Sequence, residues 1–97
     1  MAKNPREMLN ELTKGFTEVS KTNGTQVKAF RMFTESTMKP VALDIKTKEL
    51  MCVAIAAYNR CEYCIVFHVF KALEAGASRE EIMEGLSEVK KIYGIPE

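Results

Sequence analysis

Leu50-Met51-Cys52-Val53-Ala54-Ile55-Ala56-Ala57 is an uninterrupted apolar run, bounded by Asp44 upstream and Asn59-Arg60 downstream. Asp44 is placed to cap a helix that runs to about Tyr58. The second half of that helix has no polar face, and such a helix is buried on all sides. In so short a chain it is expected to be central, and covered in part by a neighbouring subunit.

The same helical reading extends outward in both directions, and no stretch alternates as a strand would. Asn4-Pro5-Arg6-Glu7 opens a first helix, with Asn4 as N-cap, Pro5 at the first helical position and Glu7 closing a capping box. Met8, Leu9, Leu12, Phe16 and Val19 give it an apolar stripe. Asn23-Gly24 is expected to break it. A second helix from about Thr25, with Val27, Phe30, Phe33 and Met38, ends at Lys39-Pro40. After the central helix, a fourth begins near Cys61 and ends at Ala75-Gly76, with Gly76 in the left-handed conformation. Ser78-Arg79-Glu80-Glu81 is a second capping box and opens a fifth helix, with Ile82, Leu86 and Val89 inward. Tyr93-Gly94-Ile95-Pro96-Glu97 is expected to be extended. The fold class is therefore all-α, about five helices in a single domain over residues 1–97.

Composition narrows the function. The chain has 97 residues, of which 46% are hydrophobic. That is more than a domain of this size easily hides, and homo-oligomerisation is the natural resolution. The net charge of +1 supplies no basic field for nucleic acid. The run from Leu50 to Tyr58 is too short to span a bilayer, and Met1-Ala2-Lys3-Asn4-Pro5 does not resemble a signal peptide. The expected location is the cytoplasm. Two of the three cysteines are clustered and Cys52 stands apart. This is the pattern of reactive or metal-binding thiols in a reducing compartment, not of a secreted disulfide scaffold.

The chemistry concentrates in Cys61-Glu62-Tyr63-Cys64 and His68. On a helix these two thiols and the imidazole fall within about 60° of one another, because each residue advances by roughly 100°. Cys61 sits at a helix start, just after Arg60, where unpaired N–H groups and partial positive charge favour the thiolate. Cys64 is one turn further, within reach of a disulfide. His68 lies four residues beyond Cys64 and can take and return a thiol proton. Read blandly, the same residues are small core cysteines and a satisfied core histidine, but their convergence on one face favours chemistry. Glu49 precedes the apolar run, and pattern alone does not separate it from Glu62 or Glu74. Cys52 reads as an inert buried thiol. Lys46-Thr47-Lys48 and Lys90-Lys91 read as solvated faces.

A metal is the chemical rival: Cys61, Cys64 and His68 supply three ligands, with Glu49 or Cys52 as a fourth. Structural zinc sites, however, draw on two separated clusters, and three ligands on one helix make poor tetrahedral geometry. Ile65, not histidine, follows Cys64, which disfavours covalent haem. Neither a metal nor a cofactor is expected.

Together these residues resemble the AhpD-like, or carboxymuconolactone decarboxylase, family. The likeness runs from about Leu43 to Leu86. It rests on Glu49 twelve residues before Cys61, the Cys-x-x-Cys pair, His68, and Gly76-Ala77-Ser78 before the last helix. The resemblance implies an all-helical fold assembled as a homotrimer or homohexamer. It also implies alkylhydroperoxidase activity, in which Cys64 attacks a small hydroperoxide and becomes a sulfenic acid. Cys61 donates a proton and then closes the disulfide, Glu49 and His68 form the proton relay, and a dithiol or lipoyl-protein donor reduces the pair. Cys61 is then expected to be the exposed thiol that meets the donor. The well-described peroxidase branch carries a histidine immediately before the second cysteine. This chain has Tyr63 there, a poor proton carrier near neutral pH. Two alternatives remain: a redox-sensing or scaffold oligomer with slow turnover, and a decarboxylase-type lyase using His68 as its acid–base group.

Overall fold

The computed structural model describes residues 3–93, which form four helices and the turns between them: α1 (Pro5–Met38), α2 (Ile45–Tyr58), α3 (Glu62–Glu74) and α4 (Arg79–Tyr93). They fall into two compact units, one made by α1 and one beginning at Pro40. The segment expected to be extended after Tyr93 lies outside the described residues. Tyr93 itself ends α4.

In the first unit, Asn4 caps α1 as expected. Its Oδ1 accepts from the Glu7 N–H at 2.9 Å, and its side-chain amide donates to Glu7 Oε1 at 3.2 Å. The break expected at Asn23-Gly24 falls where α1 kinks, so α1 is the expected first and second helices joined there, bent sharply enough for the Arg31 guanidinium to lie 5.8 Å from the centre of the Phe16 ring. Asn23 alone leaves helical geometry (φ −124°, ψ 41°). Threonine and serine hydroxyls along α1 bond back to the preceding turn, for instance Thr17 to Thr13 (2.9 Å) and Ser20 to Phe16 (2.6 Å). Phe16, Val19, Phe30, Met32 and Phe33 are exposed.

The second unit carries a small core. α2 packs against α3 and α4, around Val53, Ala72, Ala77 and Ile82, with Leu50, Val69 and Leu86 against them. Ala72 is fully buried and Val53 nearly so. A methyl side chain on α3 allows close approach of α2, and Val53 fills the space. Burying a side chain of that size stabilises by about 1.5–3 kcal/mol.

The central helix departs from its expected all-round burial. Within one chain only the Glu49–Val53–Ala56 stripe is buried. Met51, Ile55 and Tyr58, on the other side of α2, are about half exposed. The reason is size: two neighbouring helices cover one face of a third, not its whole circumference.

The ends of α2 and α4 are tied together. Asp44 Oδ1 accepts from the Thr47 N–H at 2.7 Å. Ser78 and Glu81 form the expected capping box, each accepting from the other's backbone N–H (3.0 and 2.8 Å). Glu81 also meets Lys46 Nζ at 2.9 Å. Lys46, expected on a solvated face, is thus partly buried in an ion pair between helices.

Candidate active site

The dithiol is aimed by the turn between α2 and α3. The Cys61 N–H bonds to the Ala56 carbonyl (3.1 Å) and the Arg60 N–H to that of Ala57 (3.1 Å), with Arg60 left-handed at φ 57°. This is a Schellman closure, built with arginine where glycine is usual. The same closure ends α3. There Gly76 is left-handed (φ 95°), and the N–H groups of Ala77 and Gly76 bond to Ala72 and Leu73 (2.9 and 3.1 Å). In both, the residue after the left-handed position lies over a buried alanine: Cys61 over Ala56, Ala77 over Ala72.

The first closure places Cys61 at the N-cap of α3. Its Sγ takes the role usually filled by a serine or aspartate oxygen, accepting from the Cys64 N–H at 3.3 Å. Cys61 and Cys64 are joined in a disulfide, with Cα atoms 5.2 Å apart. That separation is ordinary for a disulfide, and one helical turn provides it without displacing the backbone. Exposure runs opposite to expectation. Cys64 is exposed and Cys61 half-buried, because Cys61 is held under the turn while the first turn of α3 presents Cys64 outward.

Glu49 is what the spacing of the sequence could not single out. It is 5% exposed, whereas Glu62 and Glu74 lie on the surface. Its Oε1 meets His68 Nδ1 at 2.8 Å across the α2–α3 contact. An ionised carboxylate only accepts, so against ionised Glu49 the donor is Nδ1, and in the neutral imidazole Nε2 is then the acceptor. A histidine held in this way is fixed in tautomer and orientation. His68 is one turn beyond Cys64 on α3, and its side chain is 27% exposed. The structure therefore brings together Glu49 and His68 and, separately, Cys61 and Cys64, with α3 as the common support.

Cys52, expected as an inert buried thiol, lies beside the Glu49–His68 pair. It is half-buried, and its Sγ, a Glu49 carboxylate oxygen and a His68 ring nitrogen lie within 4.8 Å of one another. Burial, and secondarily the Glu49 charge, push its thiol pKa up. The spacing of Glu49 and Cys52, three residues apart on one helix, was the available signal. Tyr63, in the position where the peroxidase branch carries histidine, is half-buried beside the disulfide in the first turn of α3.

Comparison with known proteins bears on this arrangement. The profile of the Carboxymuconolactone decarboxylase family matches residues 27–95. Uncharacterized protein 4 in the cox locus of Paracoccus denitrificans is 36% identical over 69 residues, 71% of this chain and 62% of the relative. Alkyl hydroperoxide reductase AhpD of Mycolicibacterium paratuberculosis is 43% identical over 47 residues, 48% of this chain and 26% of the relative. The chain thus spans less than two thirds of either protein. The crystal structure of a carboxymuconolactone decarboxylase family protein from Legionella pneumophila superposes with a TM-score of 0.85 at 28% identity, covering 91% of this chain and 79% of that one. No helix among the described residues is long and apolar enough to cross a membrane. With the profile covering most of its length and its helices following a solved member's, the chain belongs to the carboxymuconolactone decarboxylase family.

Proposed function

We propose that the protein is a thiol-dependent peroxidase of the alkylhydroperoxidase type, reducing small hydroperoxides. The observation that carries this reading is the Cys61–Cys64 disulfide at the head of α3, one turn before an imidazole held by a buried carboxylate. The Cys64 thiol loses its proton to His68 Nε2, and the thiolate attacks the terminal peroxide oxygen. The O–O bond breaks, the alcohol leaves with the proton returned by His68, and Cys64 becomes a sulfenic acid. Cys61 attacks that sulfur, water departs, and the disulfide forms. A dithiol donor, such as a lipoyl group on a partner protein, supplies two electrons and two protons to restore both thiols. The exposure of Cys64 suits both peroxide access and attack by the donor. The same reading includes assembly as a homotrimer or homohexamer, supported by the exposed Met51, Ile55, Tyr58, Phe67 and Phe70 of α2 and α3.

The test is a stoichiometric pulse of hydroperoxide on reduced protein, followed by intact mass and peptide mapping. A Cys61–Cys64 disulfide should form with Cys52 left free. Turnover should vanish in Cys64→Ser and Cys61→Ser, and fall by about 10²–10⁴-fold in His68→Ala, the usual worth of a positioned acid–base group. Peroxide turnover that survives Cys64→Ser would refute the mechanism.

A further inference from the structure

The zinc arrangement weighed from the sequence placed its principal ligands on one helix. Packing provides a different set drawn from two: Glu49 and Cys52 on one face of α2, and His68 on α3. One atom from each lies within 4.8 Å of the other two. We propose that Glu49, Cys52 and His68 form a binding site for a zinc-class divalent cation, which takes the place of the proton now shared between His68 Nδ1 and Glu49 Oε1.

The geometry is within small adjustments of what such an ion needs. Tetrahedral zinc, with bonds of about 2.0–2.3 Å to nitrogen, oxygen and sulfur, sets its ligand atoms about 3.3–3.6 Å apart. The Nδ1–Oε1 separation of 2.8 Å has to open by about half an ångström, and the thiol has to close by at most about 1.5 Å. Side-chain torsions of Cys52 and His68 provide such movements without displacing either helix.

The donor set selects the ion. A thiolate and an imidazole favour borderline-soft metals over magnesium or calcium, which prefer oxygen. The charge also balances. Ionised Glu49 and the Cys52 thiolate together neutralise a dication, so the partly buried site is left with no net charge. On binding, the Cys52 thiol gives its proton to solvent and the imidazole stays neutral, its remaining proton moving to Nε2. Three protein ligands leave a fourth position for water, and the partial exposure of His68 and Cys52 gives solvent a way in. The disulfide cysteines take no part, so the site exists in the oxidised protein.

Coordination would disconnect Glu49 from His68 and stop the relay. The binding claim stands independently, and only this consequence rests on the peroxidase reading. The test is titration of oxidised, metal-free protein with Co²⁺, then displacement by Zn²⁺. One Co²⁺ per chain should bind with a thiolate-to-cobalt charge-transfer band, and Cys52→Ser should lose that band. His68 is the only histidine in the chain, so its ring signals in the NMR spectrum of the unsubstituted protein report on binding without any variant. They should shift with Zn²⁺. Unmoved His68 signals, or a charge-transfer band that persists in Cys52→Ser, would overturn the proposal. So would binding that appears only after reduction and is lost in Cys61→Ser, since the dithiol would then be the ligand. A failure of the peroxidase reading appears separately, in the peroxide pulse on metal-free protein.

Discussion

Replacing His68 by leucine tests whether Glu49 and His68 work as a pair. The substitution keeps most of the side-chain volume but leaves a carboxylate that is 5% exposed without its partner. A hydrogen bond to a charged group contributes about 1.5–3 kcal/mol, and an orphaned acceptor costs its desolvation. Because the His68 side chain is 27% exposed, water can follow into part of the vacated space. The expected loss is therefore about 2 kcal/mol, in the lower part of that range. Glu49→Met leaves a neutral imidazole N–H nearer to solvent and should cost about 1 kcal/mol. Replacing both partners by apolar groups of similar shape removes the conflict, so Glu49→Met/His68→Leu should lose less than about 1 kcal/mol. The single losses then exceed the double by about 2 kcal/mol, a coupling of the size expected for residues in contact. Urea unfolding of the four oxidised proteins, followed by circular dichroism at one fixed protein concentration, measures it. Fixed concentration matters because self-association would enter the apparent stability. A chain of this length should show the His68→Leu loss as a fall of about 8–16 °C in Tm. If the double variant is as unstable as the sum of the singles within about 0.5 kcal/mol, the Glu49–His68 bond is not made in solution, and the relay loses its basis.

Two further predictions concern the frame that holds the site. Gly76→Ala should destabilise by about 1–2 kcal/mol through its positive φ alone, since an added Cβ meets nothing within 4 Å. Gly85→Ala inside α4, equally free of contacts, should stabilise by about 0.5–1 kcal/mol; urea midpoints that move the same way for both would refute the left-handed assignment. As for pH, the Ser78 N–H and Lys46 hold the Glu81 carboxyl below its ordinary 4.5, and Thr47 holds Asp44 below 3.8. Glu81 in turn holds Lys46 above 10.5. A depressed acid stabilises above its unfolded pKa and stops doing so as pH falls through the folded value, while a raised lysine stabilises below 10.5 and stops as pH rises beyond its folded value. The Cys52 thiol, held above its ordinary 9.0 chiefly by burial, adds a loss of stability as pH rises past that value, so urea midpoints should be flat between the carboxylate values and 9.0 and fall on either side, and Glu81→Gln should weaken the acid dependence.

Much of the fold was legible because it is set by neighbours in the chain. Asn4, Asp44 and Ser78 cap helices through bonds to residues three positions on, and Gly76 ends α3 in the left-handed turn its lack of a Cβ permits. Asn23-Gly24 was equally local: the chain leaves helical geometry at Asn23 and α1 kinks there. The apolar run of α2 misled, since its composition shows that both faces avoid water but not which neighbour covers each.

The site divides along the same line. Cys61, Cys64 and His68 announce themselves because their spacings of three and four residues put them on one face of one helix, and helical geometry needs nothing beyond the local chain. The roles of Glu49 and Cys52 were settled only by tertiary structure. Glu49 meets His68 across 19 positions of sequence and Lys46 meets Glu81 across 35. Such meetings depend on how Val53 and Ala72 let α2 and α3 approach. A helical period records which side of a helix avoids water, but not which residue of another helix lies opposite. The sequence by itself therefore determined the helices and the dithiol. The packing of α2 on α3 decided that one glutamate among several is buried against the only histidine, with a third thiol beside them.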